Sequence, residues 1–218
     1  MLIQPDKLRK VLILIFSLLF VFLAIQVRFD MLFIHVIDNG ATLIIQNLMP
    51  RHLQWWITFG ASFAHYWIAL PIMGILASFL YLMNYKIAMW WLITTQVLVM
   101  ILVSIISFVL KIHWIDGFKI GPAIPNLLLL WWLQIFAICE VVIVPRLISD
   151  QRVRLFMTVC AVMLWMAMLV ACIQKYNIPL SSGLGSLFFG YFWWQFSEEQ
   201  YRKRASHWRR VLEIDTLI

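Results

Sequence analysis

Lysine and histidine side chains that could bind or attack a phosphate stand at the ends of two apolar runs. Lys111, His113 and Lys119 follow one of these runs, and Lys175 follows a later one. A lysine ammonium attracts phosphate oxygens, and an imidazole can serve as a nucleophile or a proton donor. These residue types allow a phosphate-binding patch of Lys111, Lys119 and Lys175, with His113 as the imidazole in the same loop. Ordinary solvated loop charge explains the same residues without a ligand.

Polar side chains inside the apolar runs are a second set of candidates, because an ionisable group in lipid is costly. Glu140 precedes Arg146 by six residues, which favours pairing or snorkelling at the membrane surface. For His65 we expect a neutral ring bonded to a neighbouring helix. For Gln96 and Gln134 we expect hydrogen bonds that bridge helices.

Cysteine spacing gives no sign of a metal site. Cys139, Cys160 and Cys172 lie in or at the edge of apolar runs, and no two of them have the spacing of metal ligands. We interpret all three as buried free thiols. The sequence predicts neither a metal nor a cofactor.

Composition identifies lipid as the solvent of this chain. Of its 218 residues, 64% are hydrophobic and 12% are charged, whereas a soluble domain has about 25% charged residues. The net charge of +7 does not indicate nucleic-acid binding, because the basic residues sit at the ends of apolar runs rather than along one stripe. We expect an all-α integral membrane protein of a bacterial plasma membrane.

Six runs are long enough to cross a bilayer, which takes about 20 mostly apolar residues. The predicted spans are Val11–Val27, Trp55–Met83, Ile87–Leu110, Pro125–Val144, Leu155–Ile173 and Leu180–Phe196. No repeat or linker divides them, so we predict a single domain over residues 1–218, with residues 197–218 as a charged cytoplasmic tail.

The basic residues predict the orientation of these spans. If the N-terminus is cytoplasmic, 12 of the 17 Lys and Arg residues lie in cytoplasmic segments and five lie outside. The positive-inside rule therefore predicts that both termini are cytoplasmic. The five outer residues are Arg28, Arg51, Lys111, Lys119 and Lys175.

Two local patterns refine this layout. Residues 30–50, between the first two spans, are apolar but contain Asp38-Asn39-Gly40, and an Asn-Gly pair favours a turn. We therefore expect two short helical pieces in an outer interfacial segment. In the last span, Ser182, Ser186 and Gly190 recur every four residues, which predicts a small-residue face packed closely against another helix.

Residues 171–194, ACIQKYNIPLSSGLGSLFFGYFWW, resemble the last motif and last membrane helix of the type 2 phosphatidic acid phosphatases. That family writes the motif as SR-x5-H-x3-D, before a small-residue apolar helix that often ends in aromatics. Aligned without a gap, Ser-Arg falls on Ala171-Cys172, His on Ile178 and Asp on Ser182.

The two other motifs of the family, K-x6-RP and PSGH, match more weakly. Lys111 stands where the first motif begins, and its Arg-Pro falls on Phe118-Lys119. The second motif aligns with Pro125, Asn126, Leu127 and Leu128. The resemblance implies a six-helix bundle in which the loops after the third and fifth spans meet at the outer face.

The resemblance also implies which catalytic groups this chain lacks. In active members, Lys and Arg hold the phosphate, the last His attacks phosphorus, the last Asp orients that His, and the His of PSGH protonates the leaving oxygen. In this chain Cys172 replaces the second Arg, Ile178 and Ser182 replace the His and Asp of the last motif, and Leu128 replaces the acid. The resemblance thus favours a catalytically silent member that binds a phospholipid or polyprenyl phosphate at its outer face.

Two alternatives stay open from sequence. One is an active lipid-phosphate phosphatase with displaced catalytic groups, in which His113 is the nucleophile or acid and Lys111 assists. The other is an unrelated small transporter or assembly partner, for which Glu140 and His65 are the residues to pursue. In each case we expect membrane lipid as a partner and no nucleic acid, and the sequence does not indicate an oligomeric state.

Overall fold

The computed structural model of the chain describes residues 8–29, 31–47, 50, 53–83, 85–110 and 124–211. Every long regular element in this part of the chain is a helix, as the composition predicted. The helices are α1 (Leu8–Arg28), α2 (Leu32–Asn47), α3 (Gln54–Phe63), α4 (Tyr66–Leu82), α5 (Lys86–Leu110), α6 (Leu127–Ile138), a π-helical turn (Cys139–Ile143), α7 (Val144–Leu147), α8 (Gln151–Tyr176) and α9 (Leu180–Val211).

Three helices in the described ranges are long and apolar enough to cross a membrane, namely α1, α5 and α8. A fourth crossing is possible if α3 and α4, which are bent by 60° at a short break, form one broken span. Of the other two predicted spans, the fourth corresponds to a shorter apolar helix, and the sixth to the first half of α9. An all-helical membrane protein is therefore supported, with three to four candidate spans by length and composition.

The prediction of one continuous helix over the span Trp55–Met83 was wrong, because the helix breaks between α3 and α4. His65 has extended backbone angles and precedes α4, instead of lying in mid-helix. At the break the carbonyl of Phe63 accepts two hydrogen bonds, one of 2.8 Å from the N–H of His65 and one of 3.0 Å from the indole of Trp132. A side chain from another helix thus adds a second donor to this carbonyl, where lipid offers none.

A π-helical turn interrupts the fourth predicted span and has a cause in the sequence. Pro145 lies in the first turn of α7, directly after the π turn Cys139–Ile143. Proline has no N–H to donate to the carbonyl four residues earlier, so the regular α-helical ladder cannot continue through it. The helical path nevertheless continues to Leu147, and α6, the π turn and α7 follow one another without a gap.

The prediction of two short pieces around Asp38-Asn39-Gly40 was also wrong, because α2 runs through them as one helix. The hydroxyl of Thr42 donates to the carbonyl of Asp38 at 2.8 Å, as a continuous helix allows. Helix α2 packs against α8 and α9. Tertiary packing therefore overrides the turn preference of Asn-Gly.

Helix α9 packs against α1, α2, α5, α6 and α8. The predicted small-residue face is confirmed, since Ser182 and Ser186 are fully buried. A Cβ atom added to Gly190 would collide with the side chain of Leu133 on α6. The helix also extends well beyond Phe196, to Val211, so the charged segment begins as a continuation of the last helix.

The bundle has two chemically different ends. At the first, which we call the motif end, Asn126 precedes α6, Asn177 follows α8, and α9 begins with Leu180. The other, which we call the basic end, holds the start of α5 at Lys86 and the segment Arg202–Arg204 of α9. Because α8 has 26 residues, its two ends lie about 39 Å apart.

Candidate functional site

Helices α6 and α9 meet through their backbones at the motif end. The hydroxyl of Ser186 donates to the carbonyl oxygens of Asn126, at 3.0 Å, and Ser182, at 2.8 Å. The backbone N–H of Asn126 points at the carbonyl of Ser182 across 3.5 Å. Two positions that align with different motifs, Asn126 and Ser182, are therefore neighbours in space.

Asn126 caps the start of α6. Its side-chain oxygen accepts a hydrogen bond of 3.1 Å from the N–H of Leu129, in the manner of an N-cap. Leu128, at the position that aligns with the general acid, is buried. Neither residue supplies a general acid, because the Asn126 oxygen caps the helix and Leu128 is apolar.

The end of α8 is closed in a similar way. Asn177 adopts the left-handed conformation, with φ of 50°, that commonly ends a helix. The N–H of Ile178 donates to the carbonyl of Cys172 at 3.2 Å. Cys172 is only 1% exposed, and Ile178 packs against the hydrophobic core. The two positions that align with the Arg and His of the third motif are thus structural.

Of the three lysines in the predicted phosphate-binding patch, Lys175 is among the described residues. Lys175 lies in the last turn of α8 at the motif end and is exposed. Lys111, His113, Phe118 and Lys119 lie outside the described residues. The convergence of these loops remains a prediction.

An acidic residue that sequence reasoning treated as a turn former reaches the same place. Both carboxylate oxygens of Asp38 on α2 accept hydrogen bonds from Ser181, one from its N–H and one from its hydroxyl, each at 2.7 Å. Asp38 therefore caps the first turn of α9 from a different helix, where the orphan N–H groups and the helix dipole favour an anion. The signal that could have found it is an acidic residue within an apolar segment.

Burial raises the pKa of Asp38 above its ordinary value, because desolvation penalises the charged carboxylate more than other contacts favour it. The two hydrogen bonds from Ser181 and the nearby His35 act in the opposite direction. Asp38 lies on α2, which is outside the candidate membrane spans. The hydrogen bonds from Ser181 therefore stabilise the carboxylate of Asp38 in a partly desolvated site.

Two further polar contacts form the rim of the motif end. The amide nitrogen of Gln46 on α2 donates to the side-chain oxygen of Asn177 at 3.1 Å. The hydroxyl of Tyr176 and the Nε2 atom of His65 are 3.5 Å apart, and their rings meet edge to face. His65 thus has a partner on a neighbouring helix, as predicted.

Three polar side chains away from the motif end also have hydrogen-bond partners. Gln96 on α5 and Gln134 on α6 are buried and hydrogen-bonded to each other, which confirms that they bridge helices. Glu140, in the π-helical turn, accepts a hydrogen bond of 2.8 Å from the hydroxyl of Thr158 on α8. The side chain of its predicted partner, Arg146, lies outside the described residues.

In the described parts of the chain, no three His, Cys, Asp or Glu side chains come together in a group that could hold a metal ion. The three cysteines are free thiols, but the prediction that all are buried holds only for Cys172, since Cys139 is half-buried and Cys160 is exposed on α8. An apolar helix surface in lipid does not need to be buried in protein, so an exposed thiol costs little there.

Comparison with known proteins finds no match to this chain among family models, curated proteins or solved structures.

Proposed function

We propose that this chain is a catalytically silent, phosphatase-like membrane protein that binds a lipid phosphate through lysines at its motif end. The observation that carries the proposal is the contact between Asn126 and Ser182, positions that align with the second and third motifs. This contact is the arrangement that the resemblance requires. It is made by residues that cannot transfer a phosphoryl group.

The absence of catalysis follows from which groups occupy the aligned positions. Leu128, Cys172 and Ile178 are buried or packed in the core and supply neither a fork-shaped cation nor an imidazole. A phosphoryl-transfer site needs both positive charge and a nucleophile at phosphorus. Binding without chemistry then depends on Lys175, which is exposed, and on Lys111 and Lys119.

The proposed topology has six spans, with the motif end outside and both termini in the cytoplasm. It counts the bent pair α3–α4 as one span, the continuous stretch from α6 to α7 as another, and the apolar first half of α9 as the sixth. The stretch from Leu127 to Leu147 would be about 31 Å long at 1.5 Å per residue, close to the thickness of the hydrocarbon core.

Cysteine-accessibility labelling tests this topology. In a cysteine-free background, Lys175→Cys and Lys119→Cys should react with an impermeant maleimide from outside the cell. Arg152→Cys and Arg204→Cys should react only after the membrane is permeabilised. Finding positions 175 and 152 on the same side would refute the arrangement, because the two residues lie at opposite ends of α8.

Phosphate release tests the catalytic half of the proposal. Purified protein, incubated with phosphatidic acid or undecaprenyl diphosphate, should release no more phosphate than a detergent blank. Loss of a catalytic unit removes several orders of magnitude in rate. Turnover that disappears in His113→Ala would establish the displaced active site instead.

Lipid-phosphate binding tests the other half. Phosphatidic acid in nanodiscs should bind wild-type protein more tightly than Lys111→Ala or Lys175→Ala. Lys203→Ala, at the basic end, is the matched control for loss of one positive charge, since Lys203 pairs with Glu199. Equal binding by all four proteins would refute a site at the motif end.

A further inference from the structure

A groove lies between α5 and α9 on the basic side of the bundle, away from the motif end. Its volume is about 320 Å³, at the lower end of the range for ligand pockets. The indole N–H of Trp91 donates to the carbonyl of Ser197 at 3.0 Å and fixes the two helices at the floor of the groove. The rings of Trp194 and Tyr201 pack against Trp91 from α9.

The lining of the groove changes from apolar to polar along its length. Toward the bilayer centre it is lined by Leu98 of α5 and by Trp193 and Phe196 of α9. Toward the basic end it is lined by Gln200 and Arg204. Arg204 lies about 12 Å beyond Phe196 along the helix, at 1.5 Å per residue. This gradient matches an amphiphile that stands parallel to the helices with its charged head at the membrane surface.

Three hydroxyl groups within the groove already have hydrogen-bond partners in the protein. The hydroxyls of Thr94 and Thr95 donate to carbonyls of their own helix at 2.8 Å, and the hydroxyl of Ser197 donates to the carbonyl of Trp194 at 3.0 Å. Helical threonines bonded in this way turn their methyl groups outward. The middle of the groove is therefore effectively apolar.

The positive charge of Arg204, at the mouth of the groove, is available to a ligand. Arg202 lies 3.8 Å from Glu198, and Lys203 is paired with Glu199 at 2.7 Å. Arg204, the third basic residue of the same turn, has no carboxylate within ion-pair distance among the described residues. An unpaired guanidinium above an apolar groove suits an anionic headgroup, because its donors match phosphate oxygens.

We propose that this groove binds one anionic phospholipid, with its phosphate at Arg204 and an acyl chain along Leu98 and Phe196. This lipid site is separate from the proposed phosphate-binding site at the motif end, so either can fail without the other. The occupant is a lipid rather than a soluble anion, since the groove is apolar over most of its length and opens beside exposed apolar residues of α5.

The headgroup part of the proposal is tested by lipid retention. Protein extracted into detergent from vesicles of equal phosphatidylglycerol and phosphatidylcholine should keep one phosphatidylglycerol molecule, counted by native mass spectrometry. Arg204→Gln should lower that retention about fivefold, the effect of one basic residue at a membrane surface. Lys203→Gln removes the same charge one residue away, outside the groove, and should retain the lipid.

The acyl-chain part is tested by filling the groove. Leu98→Trp should displace the retained lipid, whereas Val97→Trp, on the neighbouring exposed position of α5, should not. The two positions are 49% and 54% exposed, so both variants should fold.

Three results would overturn the proposal. Equal losses in Arg204→Gln and Lys203→Gln would indicate general surface attraction rather than a site. Equal retention in Leu98→Trp and Val97→Trp would show that no chain occupies the groove. A change from one oligomeric mass to another in Leu98→Trp, without lipid loss, would assign the groove to a second copy of the chain.

Discussion

Replacing Asp38 tests whether a carboxylate on one helix holds the start of another. In Asp38→Ala, the N–H and the hydroxyl of Ser181 would each lose an acceptor at 2.7 Å. Ser181 is only 1% exposed, so water cannot easily replace the lost carboxylate. The consequence should be a looser junction between α2 and α9 at the motif end.

The size of the effect follows from what is left unsatisfied. A buried donor without a partner costs about 1–3 kcal/mol, and loss of an N-cap typically costs about 1 kcal/mol. These are two descriptions of largely the same contacts, so we expect a total near 2 kcal/mol rather than their sum. For a chain of this size that corresponds to a fall in Tm of roughly 4–8 °C.

Cys172 provides the assay, because this buried thiol lies in the last turns of α8, close to the site. In a background with Cys139 and Cys160 replaced by alanine, a fluorogenic maleimide should label Cys172 only when the structure opens. The temperature at which labelling begins then reports the stability of the motif end. The comparison should be made at one fixed heating rate, since unfolding in detergent is often irreversible.

The control is Asn39→Ala, one residue along on the exposed side of α2, which should leave the labelling temperature within about 1 °C of wild type. Ser181→Ala should cost about half as much as Asp38→Ala, because the backbone N–H keeps its acceptor. The reasoning fails if Asp38→Ala and Asn39→Ala have the same labelling temperature. It also fails if the effects of Asp38→Ala and Ser181→Ala simply add, since groups in direct contact should be coupled.

The pH dependence of this contact follows from the direction of the pKa change. The pKa of Asp38 is raised by burial in the folded chain. A raised carboxyl pKa contributes stability that is fully present below the unfolded value, about pH 4, and is lost as pH rises through the folded pKa. Wild type should therefore lose stability relative to Asp38→Asn over that interval, and parallel melting curves across it would contradict the raised pKa.

Two packing predictions use matched pairs of substitutions. Ser186→Leu should destabilise the bundle by about 2–4 kcal/mol, because the larger side chain overpacks against α6 and the hydrogen bond to Asn126 is lost. Ser104→Leu, on the exposed face of α5, should be tolerated. Equal folded yields of the two variants would refute a packed face. Gly60→Val should also fold poorly, because even a Cβ atom at position 60 would collide with the backbone of Ala167. Gly74→Val is the control, since the space around Gly74 is open. Similar melting temperatures for the two variants would contradict the close approach of α3 and α8.

Composition and periodicity predicted the structural features that depend on the surrounding lipid or on a single helix. The all-helical membrane class followed from the apolar fraction, and the face of Ser182, Ser186 and Gly190 followed from a repeat of four residues. The bridge between Gln96 and Gln134 followed from the cost of isolated amides in lipid. The first two inferences needed only the chemistry of single segments, and the third needed only the tendency of amides in lipid to bond to one another.

The errors occurred where a second element decides the conformation. The break at His65 is stabilised by Trp132, 67 positions later in the chain, and no local pattern reports that contact. Helix α2 continues through Asn39-Gly40 because α8 and α9 pack on it, although a turn is the local preference. Asp38 was missed as a cap for the same reason, since its partner Ser181 is 143 residues away.

Asn126 and Asp38 at the motif end differ from Arg204 at the basic end in whether the protein uses their polar groups. At the motif end, Asn126 and Asp38 bond to the first turns of α6 and α9, so substitutions there should change stability first and binding second. At the basic end, Arg204 has no carboxylate partner among the described residues, and Arg204→Gln should change lipid retention without lowering the melting temperature. A single panel of variants, measured for both properties, therefore separates residues that stabilise the fold from residues that bind the proposed lipid.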